Sequence, residues 1–224
     1  MPENGGKINL FVSVFFILTV ITVIVVMTTT FFVSASHVRL SGSIFTTTPN
    51  GTIVNENVRY EKKEDVYLSA GPPPNAPANA AGLPAGDYYF QVTDPSGKDL
   101  LSSDHISCRK VHVNSFGVID SVYNGTNYKK QNGNWVPIAC RHNFTISIDY
   151  PELGAIAVQL FPYDDTPNPG GVYKVWVTPV QDFAGIFGTN YTPQNGQIPL
   201  NGESYSAANY HGFIPAFSKT DNYK

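Results

Sequence analysis

An unbroken apolar run from Ile8 to Val33 gives way to a chain in which apolar and polar residues alternate in short bursts. The run carries no charge, and as a helix rising about 1.5 Å per residue it exceeds a hydrocarbon core of about 30 Å. Its Val, Ile and Thr content disfavours a helix in water, but a lone segment in lipid satisfies its backbone only as a helix. The short tail ahead of Lys7 favours a cytoplasmic N-terminus and export of everything beyond. Val33-Ser34-Ala35 supplies the small residues for leader cleavage after Ala35, which would release a secreted protein. The run is much longer than the roughly 7–15 apolar residues of a signal peptide, which favours a retained anchor. The reading is therefore a cytoplasmic tail and transmembrane or signal helix over residues 1–35 and an extracytoplasmic region over 36–224.

Beyond Ala35 the period is two, which predicts strands rather than helices. Val38 to Thr47 reads as a first strand, closed by the turn Pro49-Asn50-Gly51 before Thr52-Ile53-Val54. Asp65 to Ser69 is a second strand, and the Pro- and Ala-rich stretch Ala70 to Ala85 reads as a loop. In Gly86 to Thr93, Tyr88, Phe90 and Val92 fall on one face and Tyr89, Gln91 and Thr93 on the other. Asp94-Pro95-Ser96-Gly97 has the residue order of a type I turn, and Leu100-Leu101 starts the return. Further strands are expected at Arg109–Val113, Gly117–Val122, Asn134–Ala139, Phe144–Ile148, Ala155–Phe161 and Gly171–Thr178. Ala184 to Tyr210 reads as long surface loops, and His211–Pro215 with Ser218–Lys224 as a last strand whose abrupt stop suggests that the chain continues. A shared frame, Gly-x-Tyr-x-apolar-x-Val-Thr, occurs at Gly86–Thr93 and Gly171–Thr178. It fits two tandem sandwiches, 36–125 and 126–224, or one large sandwich using the same device twice.

Composition agrees with a turn-rich β-protein: 19 Gly, 17 Pro, 13 Tyr and 14 Phe, with 14% charged residues and a net charge of −3. No Lys/Arg run exists to hold a phosphate backbone, so nucleic acid is not an expected partner. Two cysteines in an exported chain predict one disulfide, Cys108 to Cys140. His37, His105, His112, His142 and His211 stand at no metal-ligand spacing and read as solvent-face residues of strands. Asp164 and Asp165 read as turn formers rather than calcium ligands, since the D-x-D-x-D-G spacing is missing. No nucleophile elbow, phosphate-binding loop or dinucleotide fingerprint is present. No catalytic residue, cofactor or metal site is expected. The sequons at Asn50, Asn124, Asn143 and Asn190 would be surface glycosylation sites in a host that modifies exported protein.

The hairpin Leu83-Pro84-Ala85-Gly86-Asp87-Tyr88-Tyr89-Phe90-Gln91-Val92-Thr93-Asp94-Pro95-Ser96-Gly97 resembles the L-P-x-G-x-Y-x-x-x-V-x-D-x-x-G signature of prealbumin-like sandwiches, including the B-type repeats of bacterial collagen adhesins. From Asp65 to Lys224, and above all in the block DTPNPGGVYKVWVT, the chain is similar to a family of exported bacterial proteins with no assigned activity. The resemblance implies a prealbumin-like β-sandwich serving as a structural or adhesive module at the cell surface, with other surface proteins or glycans as partners. The rival expectation is a secreted carbohydrate-binding module that stacks sugars on Trp135, Tyr123, Tyr128 and Trp176.

Overall fold

The computed structural model describes residues 40–55, 57–72, 76–77, 80–183 and 210–224. The predicted leader, the cleavage position at Ala35, His37, Asn190 and most of the expected loop from Ala184 onward lie outside them. Among the described residues no helix is long and apolar enough to cross a membrane. Helical structure there is confined to three-residue 3-10 turns, and the fold is all-β.

Among the described residues eleven strands follow in chain order: β1 (Ser43–Thr47), β2 (Tyr67–Gly71), β3 (Gly86–Thr93), β4 (Lys110–Val113), β5 (Ile119–Val122), β6 (Thr126–Gln131), β7 (Asn134–Ala139), β8 (Phe144–Ile146), β9 (Ile156–Gln159), β10 (Tyr173–Pro179) and β11 (Lys219–Tyr223). One antiparallel sheet has the order β1-β2-β9-β8 and a second the order β11-β10-β3-β4-β5, while β6 and β7 form a separate hairpin. The two sheets form a sandwich-like core, with Leu68, Ala70, Ile156 and Val158 from the first meeting Phe90, Val92, Val111, Val175 and Val177 from the second. Each of the larger side chains contributes about 1.5–3 kcal/mol by leaving water.

Both sheets take strands from before and after residue 125, and residues 38–224 form one compact unit. The division at 36–125 and 126–224 therefore does not hold. The two copies of the shared frame are neighbours in one sheet: β3 and β10 pair antiparallel, with Val92 opposite Val175 and Phe90 opposite Val177. The same alternation recurs because both strands bury the same kind of face.

The opposite face of this sheet is also covered. Trp176, opposite Gln91, packs with Ile106 and Phe213 under Phe183 and Tyr210, and its indole N–H donates to the Thr93 hydroxyl at 2.9 Å. On the first sheet the β1 hairpin turn crosses the outer face, with Thr145 Oγ1 donating to the Pro49 carbonyl and the Ile148 N–H to that of Asn50. Gly51 fits there because a Cβ would lie 2.4 Å from the Ser147 hydroxyl, and its φ of +91° suits glycine. At the free edge, Phe144 and Ile146 share the side of Val158 and Ile156 yet are 58% and 72% exposed, so the core face of β8 overhangs its cover.

Strand β6 was not expected from the pattern. Thr126-Asn127-Tyr128-Lys129-Lys130-Gln131 has no apolar alternation, and it is a strand because the following Asn132-Gly133, at φ +48° and +84°, makes the tight turn that pairs it with β7. Conversely, Leu100 forms only an isolated bridge to Thr93.

Candidate functional site

The densest polar constellation surrounds the disulfide. Cys108 and Cys140 are bonded, with Cα atoms 5.3 Å apart. Closing a loop of this length is worth about 3–4 kcal/mol in the chain-entropy picture. The bond brings two charged sequences together, Asp104-His105-Ile106-Ser107-Cys108-Arg109 and Cys140-Arg141-His142. The side chains of Asp104, Arg109 and His142 are each about 1% exposed. Asp104 faces Arg109 Nε at 3.3 Å through Oδ1 and His142 Nε2 at 2.8 Å through Oδ2. The guanidinium also donates to the carbonyls of Phe90 at 3.3 Å and of Asp104 itself at 3.4 Å.

His142 Nδ1 lies 2.7 Å from the Gln159 carbonyl, which can only accept, so this nitrogen carries its proton. The Nε2 contact with Asp104 then holds one shared proton between ring and carboxylate. Gln159 continues the network, donating to the Glu64 carbonyl at 2.7 Å and accepting from Asn143 Nδ2 at 3.1 Å. Phe90 packs edge-on against the His142 ring at 5.0 Å. One cluster thus ties the loop before β4, the loop after β7, β3 and β9 to one another. Burial lowers Arg109 to about 10 against the opposing pull of Asp104, and it remains a guanidinium at neutral pH.

His142 and His105 correct the expectation that the histidines face solvent. His105 is 8% exposed, and its Nδ1 accepts from the Ser107 N–H at 3.2 Å. Burial, then the charge of Arg109, lowers it from 6.5 to about 4. Between those values the unfolded chain binds the extra proton, so the contribution to stability is complete above pH 6.5 and is lost as pH falls toward 4. Urea denaturation at pH 7.5 and 4.5 is expected to show a loss of about 2–3 kcal/mol that His105→Gln largely removes. An unchanged pH slope in the variant would assign the loss elsewhere. His112 does sit at the surface, 2.8 Å from Asp120, and His211 Nε2 donates to the Lys98 carbonyl at 2.8 Å.

A second constellation closes the core beside β10 and β11. The rings of Tyr173 and Tyr223 stack at 5.3 Å and 13°, with Tyr60 and Tyr163 edge-on to Tyr223 at 6.1 and 6.2 Å. Burial pushes the hydroxyls of Tyr60, Tyr163 and Tyr223 well above the ordinary phenol range. The Tyr60 and Tyr223 hydroxyls lie beside Thr46 and Tyr163 without the geometry of a full hydrogen bond. Above them opens a pocket of about 240 Å³, walled by the strap Arg59–Lys63 and the turn at Asp165 and Gly171. Asp165 pairs with Lys63 at 2.6 Å, and this lysine holds its carboxyl below the usual carboxylate range. Among the described residues no group of three or more His, Cys, Asp or Glu side chains is placed to hold a metal ion.

The remaining expected residues are dispersed. Asn50, Asn124 and Asn143 are all exposed, yet Asn50 Oδ1 accepts from Thr52 and the Asn143 amide is engaged by Gln159. Of the aromatics expected to stack sugars, Trp176 is 4% exposed and belongs to the interior. Tyr123 is 38% exposed under Lys110, half-buried Tyr128 leans on His105, and the side chain of Trp135 lies outside the described residues. The tyrosine pocket and the buried ion cluster carry no local sequence motif. The signal available for the cluster was the charge flanking each cysteine, which becomes informative once the disulfide is inferred. Compared with known proteins, the chain matches no family model, no curated protein and no solved structure.

Proposed function

We propose that this chain is an exported, membrane-anchored surface module with a structural or adhesive role and no catalysis of its own, built on a prealbumin-like sandwich. The observation that carries the reading is the disulfide Cys108–Cys140 seated against a fully buried ion cluster. Disulfides persist in oxidising compartments, and this one holds together the loops that bury Asp104, Arg109 and His142. The apolar run Ile8–Val33 would supply both the export route and the anchor. The L-P-A-G-D-Y hairpin gives the likeness to prealbumin-like stalks and adhesins, and the antiparallel two-sheet core is compatible with it.

The test is the mass of the protein from its native cells, together with trypsin treatment of the intact cells. An uncleaved N-terminus, blocked thiols before reduction and loss of the 38–224 region to external trypsin are expected. Thiols that alkylate without reduction, or complete protection from trypsin, would overturn the reading. A mass beginning at Ser36 would replace anchoring with secretion.

A further inference from the structure

We infer that the pocket between the Arg59–Lys63 strap and the β10–β11 edge binds a carboxylate-bearing sugar ring, a hexuronate. The pocket holds about 240 Å³, below the roughly 300 Å³ at the lower end of drug-sized sites, so it suits one ring rather than an oligomer held along its length. Its charge runs against that of the chain. The walls carry Arg59, Lys62, Lys63 and Lys224 against Glu61 and Asp165, although the whole protein has a net charge of −3.

Lys63 is already matched by Asp165 and by the Tyr163 carbonyl at 3.2 Å. Arg59 and Lys62 make no ion pair among the described residues and are exposed at the rim. The Arg59 guanidinium lies over Gly171, where a Cβ would sit 3.3 Å from Nη2 at a backbone φ of +66°. That residue therefore leaves the space the guanidinium occupies. A planar guanidinium accepts a carboxylate through two parallel hydrogen bonds, which a lysine ammonium does not reproduce.

The floor supplies the rest of the recognition. Tyr60 and Tyr173 are half-buried, so each ring keeps part of its surface toward the pocket, and Tyr223 stacked beneath Tyr173 fixes that ring's orientation. The Tyr60 N–H donates to the Lys224 carbonyl at 2.8 Å, which pins the strap across the end of β11. A ring face beside a bidentate anion site in one small pocket describes a sugar acid, whose ring can stack where a simple carboxylate has nothing to lay on it. The inference concerns the pocket alone and stands whether the chain is anchored or released.

The full-length protein in detergent micelles would be titrated with sodium glucuronate, glucose and acetate, by calorimetry and by saturation transfer from protein to ligand. Glucuronate is expected to bind with Kd about 1 mM, as befits a monosaccharide-sized ligand, and glucose and acetate at least about tenfold more weakly. Arg59→Ala is expected to weaken glucuronate about tenfold or more, with Arg59→Lys recovering only part of the loss. Both substitutions are at an exposed rim, and an unchanged near-ultraviolet circular dichroism spectrum verifies folding. Equal binding of acetate would mean an adventitious ion only, and equal binding of glucose would remove the carboxylate from the argument. Either result, an unaffected Arg59→Ala variant, or no saturable binding at all would overturn the proposal, and none bears on the surface-exposure experiment.

Discussion

Replacing Asp104 by Ala is expected to lower the unfolding free energy by about 3–5 kcal/mol, the cost of leaving a buried charge without its partner. Arg109 is about 1% exposed, and its contacts include two neutral carbonyls at the long end of hydrogen bonding, which do not replace a carboxylate. His142 loses the acceptor for Nε2 at the same time. Against a typical domain stability of about 5–15 kcal/mol, that loss is a large share of what holds the fold. The check is equilibrium denaturation of Asp104→Ala, Arg109→Met and the double variant. Burying an ion pair is expensive, so the double variant with both charges replaced by apolar groups should recover much of what either single change loses. Additive losses in the double variant would show that the two residues stabilise the fold separately, through packing rather than through their pairing.

Asp104 and His142 show why this cluster was not legible in the sequence. They are 38 residues apart and both stand in loops, where no periodicity marks a side chain as buried. Composition rules place Asp, Arg and His outside unless paired, and the pairing is visible only in three dimensions. The disulfide was legible because a chain with two cysteines leaves each only one possible partner. The alternation in Gly86–Thr93 was legible for a different reason. The inward Tyr88, Phe90 and Val92 sit at strand period and meet one continuous core. Trp176, expected at the surface only in the sugar-stacking alternative, is buried because a segment far along the chain, bearing Tyr210 and Phe213, folds back to cover the outer face. Strand β6 escaped because its partner and its turn, not its own residues, make it a strand. In each case what the sequence hid was a contact supplied by a remote segment.

Raising the pH above 10 is expected to unfold the protein in one cooperative step driven by its buried tyrosines. Tyr88, Tyr163 and Tyr223 are 2%, 3% and 1% exposed, and burial raises the hydroxyl of each well above its ordinary value of 10. Tyr88 also donates to the Pro84 carbonyl at 2.6 Å, a bond the phenolate cannot make. The unfolded chain loses these protons near pH 10 while the folded chain keeps them. The stability they contribute is therefore complete below pH 10 and is lost as pH rises toward the folded-state values. Each such group contributes a slope of about 1.4 kcal/mol per pH unit, so the three together give about 4. Following tyrosinate absorbance and near-ultraviolet circular dichroism in parallel should show exposed tyrosines titrating smoothly around pH 10. The buried ones should then appear abruptly as the tertiary signal collapses. Tyr223→Phe removes one titrating group whose hydroxyl has no full hydrogen bond to lose, so it should fold at neutral pH and flatten the alkaline slope by about a third. If all tyrosines titrate together near pH 10 with the tertiary signal intact, the interior at the β10–β11 edge is open to water, and the stacked floor under the pocket is not the rigid surface described.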